Sequence, residues 1–245
     1  MVALVAAAAG PALSQTQRVD VEAGVPAYLE KHPAEARRFI KDYLAKNPQV
    51  LQEALVELLR PGAATVLDQA AVIKSFHSSK RVALGNPKGD VTLAEFVDYN
   101  CGFCRRALDD MLMLIGSDAD LRVILIEHPV LGTASTEAAR VAIAAQMQDG
   151  SAATALELHR RLLSGPAPVN KARALAIAVD LGLDLARLET DLAREEVDAT
   201  LDEGRKLARA LGIRGTPSYV VGGSVVFGAV GTSTLRDKIA AARQR

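Results

Sequence analysis

The rhythm of apolar and polar positions changes along the chain, and each change marks a different kind of element. From Pro33 to Leu44, apolar residues (Phe39, Ile40, Tyr43, Leu44) recur at helical spacing. Asn47-Pro48 then supplies a cap and a first-turn proline for a second helix. Leu51, Ala54, Leu55, Leu58 and Leu59 form its apolar stripe until Pro61-Gly62 stops it. A further helical stretch, Ala63 to about Phe76, runs into polar His77–Arg81. The turn-rich segment Leu84-Gly-Asn-Pro-Lys-Gly-Asp90 closes this region. Val91–Tyr99 is a β-rich run and predicts a buried strand; a helix from about Arg105 to Ile115 and a strand Leu121–Ile126 follow. Strand, helix and strand at this spacing predict a βαβ unit with a parallel pair. Four helices come next, Ala134–Gln148, Ser151–Leu163, Asn170–Leu181 and Leu185–Leu211. Ser218–Val221 and Ser224–Phe227 flank Gly222-Gly223 as a hairpin, and Ser233–Arg243 is a last helix.

This order predicts an α/β domain over residues 82–245, with a helical insert at about 133–212, preceded by a helical arm over 15–81. The arm carries more apolar surface than a short pair of helices buries alone, which points to self-association or to packing on its own domain.

Composition narrows the function classes. The 29 basic and 29 acidic residues cancel, which argues against nucleic-acid binding driven by bulk charge. Two cysteines exclude a multi-disulfide scaffold. Met1–Ala9 is too short an apolar run to span a bilayer, but its length suits a signal-peptide core, and Ala12-Leu-Ser14 fits a small-X-small cleavage signal. No Lys or Arg precedes Arg18, so the basic leader of such a peptide is missing. Residues 1–14 are read as a remnant of an export signal.

The chemistry is concentrated in Cys101-Gly-Phe-Cys104, at a strand-to-helix junction. A helix start offers partial positive charge and free N–H groups, which favour a thiolate on the first cysteine. Cys101 is therefore expected to be an exposed nucleophile and Cys104, one turn in, the shielded resolving thiol. A zinc site would need further ligands, and no second cysteine pair exists. Glu95 lies in the apolar stretch Leu93-Ala-Glu-Phe-Val97, where a buried acid is costly without a purpose; accepting a proton from Cys104 would supply one. Thr216-Pro217, just before a strand, suggests a cis-proline loop facing the cysteines and exposing backbone groups to an extended substrate. His128 reads as a partly exposed loop residue, and His32, His77 and His159 sit in polar helical contexts.

Together, Phe96-Val-Asp-Tyr-Asn-Cys-Gly-Phe-Cys104, Leu84–Asp90, Pro129-Val-Leu-Gly132 and Gly215-Thr-Pro217 resemble the DsbA-like branch of the thioredoxin superfamily, over about Val82 to Arg245. The arm resembles that of the suppressor-of-copper-sensitivity protein C group. The resemblance implies a thioredoxin fold with a helical insertion, Cys101 as nucleophile, Cys104 as resolving cysteine, Glu95 as buried acid and Thr216-Pro217 as the cis-proline loop. It also implies a periplasmic homotrimer that reshuffles disulfides in misfolded or reduced protein clients, needs no cofactor, is reset by a membrane thiol reductase, and offers reduced Cys101 and Cys104 to Cu(I). A monomeric dithiol oxidase and a copper-tolerance protein are the rival readings. Two features depart from relatives: Gly102-Phe103 contains no histidine, and the Leu121–Ile126 strand carries no lysine, Glu127 and His128 following it instead.

Overall fold

The computed structural model describes residues 31–47, 50, 81–166 and 168–244. The chain divides into two compact units, Met1–Leu58 and Leu59–Arg245. The described part of the first unit is helix α1 (Pro33–Lys46), with proline in its first turn, as the sequence predicts. It buries no residue; Phe39, Ile40 and Tyr43 are all exposed, and the Phe39 and Tyr43 rings stack at 6.4 Å. The leucine stripe after Pro48, the helical stretch from Ala63 and the leader-like segment 1–14 lie outside the described residues.

The second unit is built on a five-stranded mixed sheet. Its strands are β1 (Ala83–Gly85), β2 (Val91–Val97), β3 (Leu121–Glu127), β4 (Ser218–Val221) and β5 (Ser224–Phe227), in spatial order β1-β3-β2-β4-β5. β2 and β3 pair in parallel, joined through helix α2 (Gly102–Ser117); the other pairings are antiparallel. The predicted βαβ unit and hairpin are both present. Gly222 and Gly223 adopt φ of 53° and 83°, the left-handed pair that a tight hairpin turn needs.

Every residue of β2 and β3 is buried, which is why the sequence shows near-continuous apolar runs there rather than alternation. One face sends Leu93, Val97, Val123, Leu125, Tyr219 and Val221 into a core with α2. The other sends Ala94, Phe96, Ile124, Ile126 and Val220 against Leu207, Ala208 and Leu211. The helices after β3 are α3 (Thr133–Gln148), α4 (Ala152–Ser164), α5 (Lys171–Asp180), α6 (Leu185–Leu192) and α7 (Glu195–Ala210); α8 (Thr232–Arg243) ends the fold. Gly204 lets α7 close on β3, since a Cβ there would sit 2.7 Å from the Glu127 carbonyl oxygen.

Some elements differ from the sequence reading. The helix expected over Leu185–Leu211 is two, broken at Ala193–Arg194, where Glu195, Glu196 and Asp198 make an acidic first turn suited to a new helix start. β1 falls in a segment read as turn, because three residues carry no period. Helix α2 begins at Gly102 rather than near Arg105, which makes Cys101 its cap residue.

Candidate active site

Cys101 occupies the N-cap of α2, with extended backbone and no side-chain capping bond. An oxygen at this position would accept the orphan N–H groups of the first turn. Here sulfur takes that place: the Phe103 and Cys104 N–H groups face it and stabilise its negative charge, and so does the Cys104 side chain. The thiol form of Cys101 donates to the Thr216 carbonyl oxygen at 3.2 Å. The Thr216 hydroxyl, buried and otherwise without a partner, stands beside the sulfur as a donor to the thiolate.

These contacts hold Cys101 down to about 5, the bond from Cys104 contributing most and Thr216 next, against the opposing effect of burial. Cys104 moves the other way. The bond it gives to Cys101 and its burial push its thiol far above the ordinary range, and the Glu95 charge adds to this. Both are free thiols. The expected asymmetry is present, with one correction: Cys101 is not open to solvent but only 7% exposed, because the Thr216 loop lies over it, while Cys104 is fully enclosed. The Thr216–Pro217 peptide is cis.

Glu95 sits in the middle of β2, registered with Leu125 on one side and Tyr219 on the other. Burial raises its carboxyl to about 8, and the charges of Glu127 and Asp110 raise it further. Glu127, at the end of β3, is also held near 8 by burial, although the Tyr99 hydroxyl donates to its Oε1 at 2.9 Å and Arg81 lies near. In the sequence Glu127 is only the residue that follows the Leu121–Ile126 strand, with nothing local to mark it as functional. Both histidine readings of this region are corrected. His128 is buried edge-on against Phe96, at 6.0 Å, because its N–H continues the strand by bonding the Val97 carbonyl. His159, on α4, is buried edge-on against Tyr99, and burial holds it near 3.

Three side chains that fix the cysteine loop were not singled out from sequence. The buried Asp98 carboxylate accepts from the Asn100, Val130 and Leu131 N–H groups at 2.8–3.0 Å. That ties the cysteine loop to the exposed Val130-Leu131 turn. Asn100 exchanges two bonds with the Val169 backbone. The Arg105 guanidinium donates to the carbonyls of Tyr99, Leu163 and Gly165. An Asp or Asn in a loop is too common to be singled out without knowing which N–H groups it meets. Beside Cys101, the exposed Phe103 carries the Arg106 guanidinium 4.1 Å over its ring.

A depressed thiolate over a shielded thiol, with a loop backbone alongside, defines a site for thiol–disulfide exchange. The chain belongs to the DSBA-like thioredoxin domain family, whose model matches residues 92–240, and with it to the DsbA-like thiol–disulfide oxidoreductases. It is similar to a thioredoxin-like oxidoreductase from Silicibacter pomeroyi, at 39% identity and TM-score 0.66, over 70% of this chain and 98% of that one. A linker-deletion mutant of Proteus mirabilis ScsC shares the fold at 23% identity and TM-score 0.64, over 96% of this chain and 98% of the other. Among curated proteins, the Na+/H+ antiporter NhaA of Herminiimonas arsenicoxydans is 27% identical over 167 residues, 65% of this chain. The chain spans only 25% of the length of that relative. Among the described residues, no helix is long and apolar enough to cross a membrane.

Proposed function

We propose that this chain is a periplasmic protein disulfide isomerase that works as a homotrimer. The observation that carries the chemistry is the Cys101 thiolate, held at the start of α2 beside Thr216. In the first step Cys101 attacks a client disulfide; one client sulfur leaves as thiolate, and the other is joined to Cys101. For isomerisation, a client thiolate attacks that mixed disulfide, so the client is re-paired and Cys101 returns as thiolate with no net electron transfer. If the client stalls, Cys104 attacks instead. Its proton passes to Glu95, the client leaves with two electrons gained, and the Cys101–Cys104 disulfide forms. A membrane thiol reductase would then restore the dithiol.

The exposed Phe39, Ile40 and Tyr43 of α1 support self-association through the arm. Several sites on one assembly would hold a misfolded client better than one. Thiol exchange of this kind belongs to an oxidising compartment, which supports the export reading. The reduced pair also brings two soft donors together, which supports Cu(I) as a ligand rather than a required cofactor.

Light scattering combined with scrambled-ribonuclease refolding tests the proposal. The full chain should have a trimer mass and isomerase activity. A chain starting at Ser78 should be a monomer that oxidises dithiols but isomerises several-fold more slowly. A monomeric full chain refutes the trimer, and isomerase activity that survives the deletion refutes the role of the arm.

A further inference from the structure

Glu127 takes no part in the steps above, yet it is a second acid buried on the sheet face that carries Glu95. The parallel register sets Glu95 opposite Leu125 and Val97 opposite Glu127, so the two acids are diagonal neighbours on adjacent strands. Strand spacing and rise put their Cα atoms roughly 8 Å apart, a gap that two glutamate side chains can span directly or through one water. Each keeps one carboxyl oxygen, Oε2, buried without a hydrogen-bond partner.

The surroundings of the two differ. Glu95 is enclosed at 1% exposure, facing Cys104 and Asp110 from α2, Tyr219 from β4 and Glu127 from β3. Glu127 faces Tyr99, Asp98 and Arg81, and His159 of α4 packs on the Tyr99 ring. Glu127 also lines a cavity of about 1170 Å³, with Arg81, Thr200 and Glu203. A proton taken from Cys104 by Glu95 is therefore in a closed compartment, and Glu127 stands between that compartment and the cavity.

We propose that Glu127 is the second station of a proton path, exchanging a proton with Glu95 on one side and with water in the cavity on the other. This rests on the reading of Glu95 as the acceptor for Cys104. When Cys104 attacks the mixed disulfide, its proton goes to the Glu95 carboxylate and the Cys101–Cys104 bond forms. The client sulfur leaves as thiolate, taking the electron pair of the broken bond. In the same step the proton moves on from Glu95 to the Glu127 carboxylate and from there to cavity water, which restores both acids, so attack by Cys104 slows when either acid is missing. Both carboxyls titrate near 8, so each can gain and lose a proton close to neutrality. As coupled groups they titrate as a pair.

Stopped-flow reaction of the reduced full chain with dithionitrobenzoate separates the steps. The first aromatic thiolate released reports attack by Cys101, and the second reports attack by Cys104. Glu95→Gln should slow the second phase by about tenfold or more. Glu127→Gln should slow the second phase to a similar degree and leave the first unchanged. It should also move the pH inflection of the second phase down by about one unit, because the charge that raises Glu95 is gone. Glu127→Asp should restore most of the rate. Tyr99→Phe removes the donor that favours the Glu127 carboxylate, so Glu127 carries less charge and the inflection should again move down, by less than in Glu127→Gln, an independent check should that variant fail to fold. If Glu95→Gln slows the second phase while Glu127→Gln and Tyr99→Phe leave its rate and pH profile at wild type, the path through Glu127 is wrong and Glu95 stands. If Glu95→Gln has no effect, the reading of Glu95 itself falls. Equal slowing of both phases by Glu127→Gln, unrescued by Asp, would make Glu127 a purely structural acid.

Discussion

Replacing Thr216 by valine keeps the shape of the loop and removes its hydroxyl, which has no partner other than the Cys101 sulfur. A hydrogen bond to a charged group contributes about 1.5–3 kcal/mol. At about 1.36 kcal/mol per pKa unit, Cys101 should rise by about one to two units from its value of about 5. At pH 5.5 about three-quarters of the wild-type thiol is ionised, against about a quarter for a one-unit rise and about 3% for two. Rate does not follow ionisation alone, because a more basic thiolate is a stronger nucleophile, by about threefold per unit at a Brønsted slope near 0.45. The two pH–rate curves should therefore cross. Valine should react about threefold faster per unit on the plateau above pH 8 and about threefold slower per unit below pH 4.5. The first phase of reaction with an aromatic disulfide measures this, and the same shift should make the protein about 30 mV less oxidising per unit. An inflection that valine does not move would assign the stabilisation wholly to Cys104 and the helix N–H groups. A wild-type inflection at pH 8 or above would refute the thiolate argument altogether.

His159 is held near 3 in the fold against an ordinary 6.5, so between those values the unfolded chain binds the extra proton. Its contribution therefore weakens stability as pH falls, by about 2 kcal/mol from pH 7 to pH 5, while Glu95 and Glu127, raised to about 8, pull the opposite way. Relative to wild type, His159→Phe should regain about that amount at pH 5, read from urea midpoints at both pH values; an unchanged difference refutes a neutral buried imidazole. Asp98→Asn puts an amide where the carboxylate accepts backbone N–H groups from Asn100, Val130 and Leu131, and should cost about 3 kcal/mol in urea unfolding. A loss under about 0.5 kcal/mol would mean these bonds do not hold the loops together.

The parts of this fold legible in the sequence are those whose pattern is local. β2 and β3 announce themselves as apolar runs because both faces of the sheet are covered, and the Gly222-Gly223 hairpin because only such a pair fits its turn. β1 was not legible, since three residues beside a turn are held by pairing with β3. At the site, Cys101 and Cys104 can be read from spacing alone, and Glu95 from the oddity of an acid in an apolar strand. His159 could not be placed: its neighbours along the helix include Glu157, Arg160 and Arg161, and only the angle at which α4 meets Tyr99 turns it inward. The Cys101 exposure was misjudged for a related reason. What covers it is Thr216, more than a hundred residues away in the chain.

The opposite behaviour of two identical side chains follows from where α2 begins. Had the helix started at Arg105, as its apolar period alone suggests, Cys104 would be the cap and Cys101 would lie in the loop before it. The first-turn N–H groups would then face the second cysteine instead of the first. Starting at Gly102 makes Cys101 the cap and Cys104 the third helical residue, so the same turn that offers donors to one sulfur carries the other inward. There Cys104 meets the carboxylate of Glu95, donates its own hydrogen to Cys101, and is driven toward the protonated form by both. Each cysteine's state thus reinforces the other's: a thiolate at Cys101 needs a protonated Cys104 as donor. Once Cys101 is bound to a client that demand ends, because a disulfide sulfur is a far weaker acceptor than a thiolate. The largest cause that keeps Cys104 protonated is then removed, and Glu95 can take its proton. Formation of the mixed disulfide is in this way the event that arms the resolving thiol, with no movement of the backbone required.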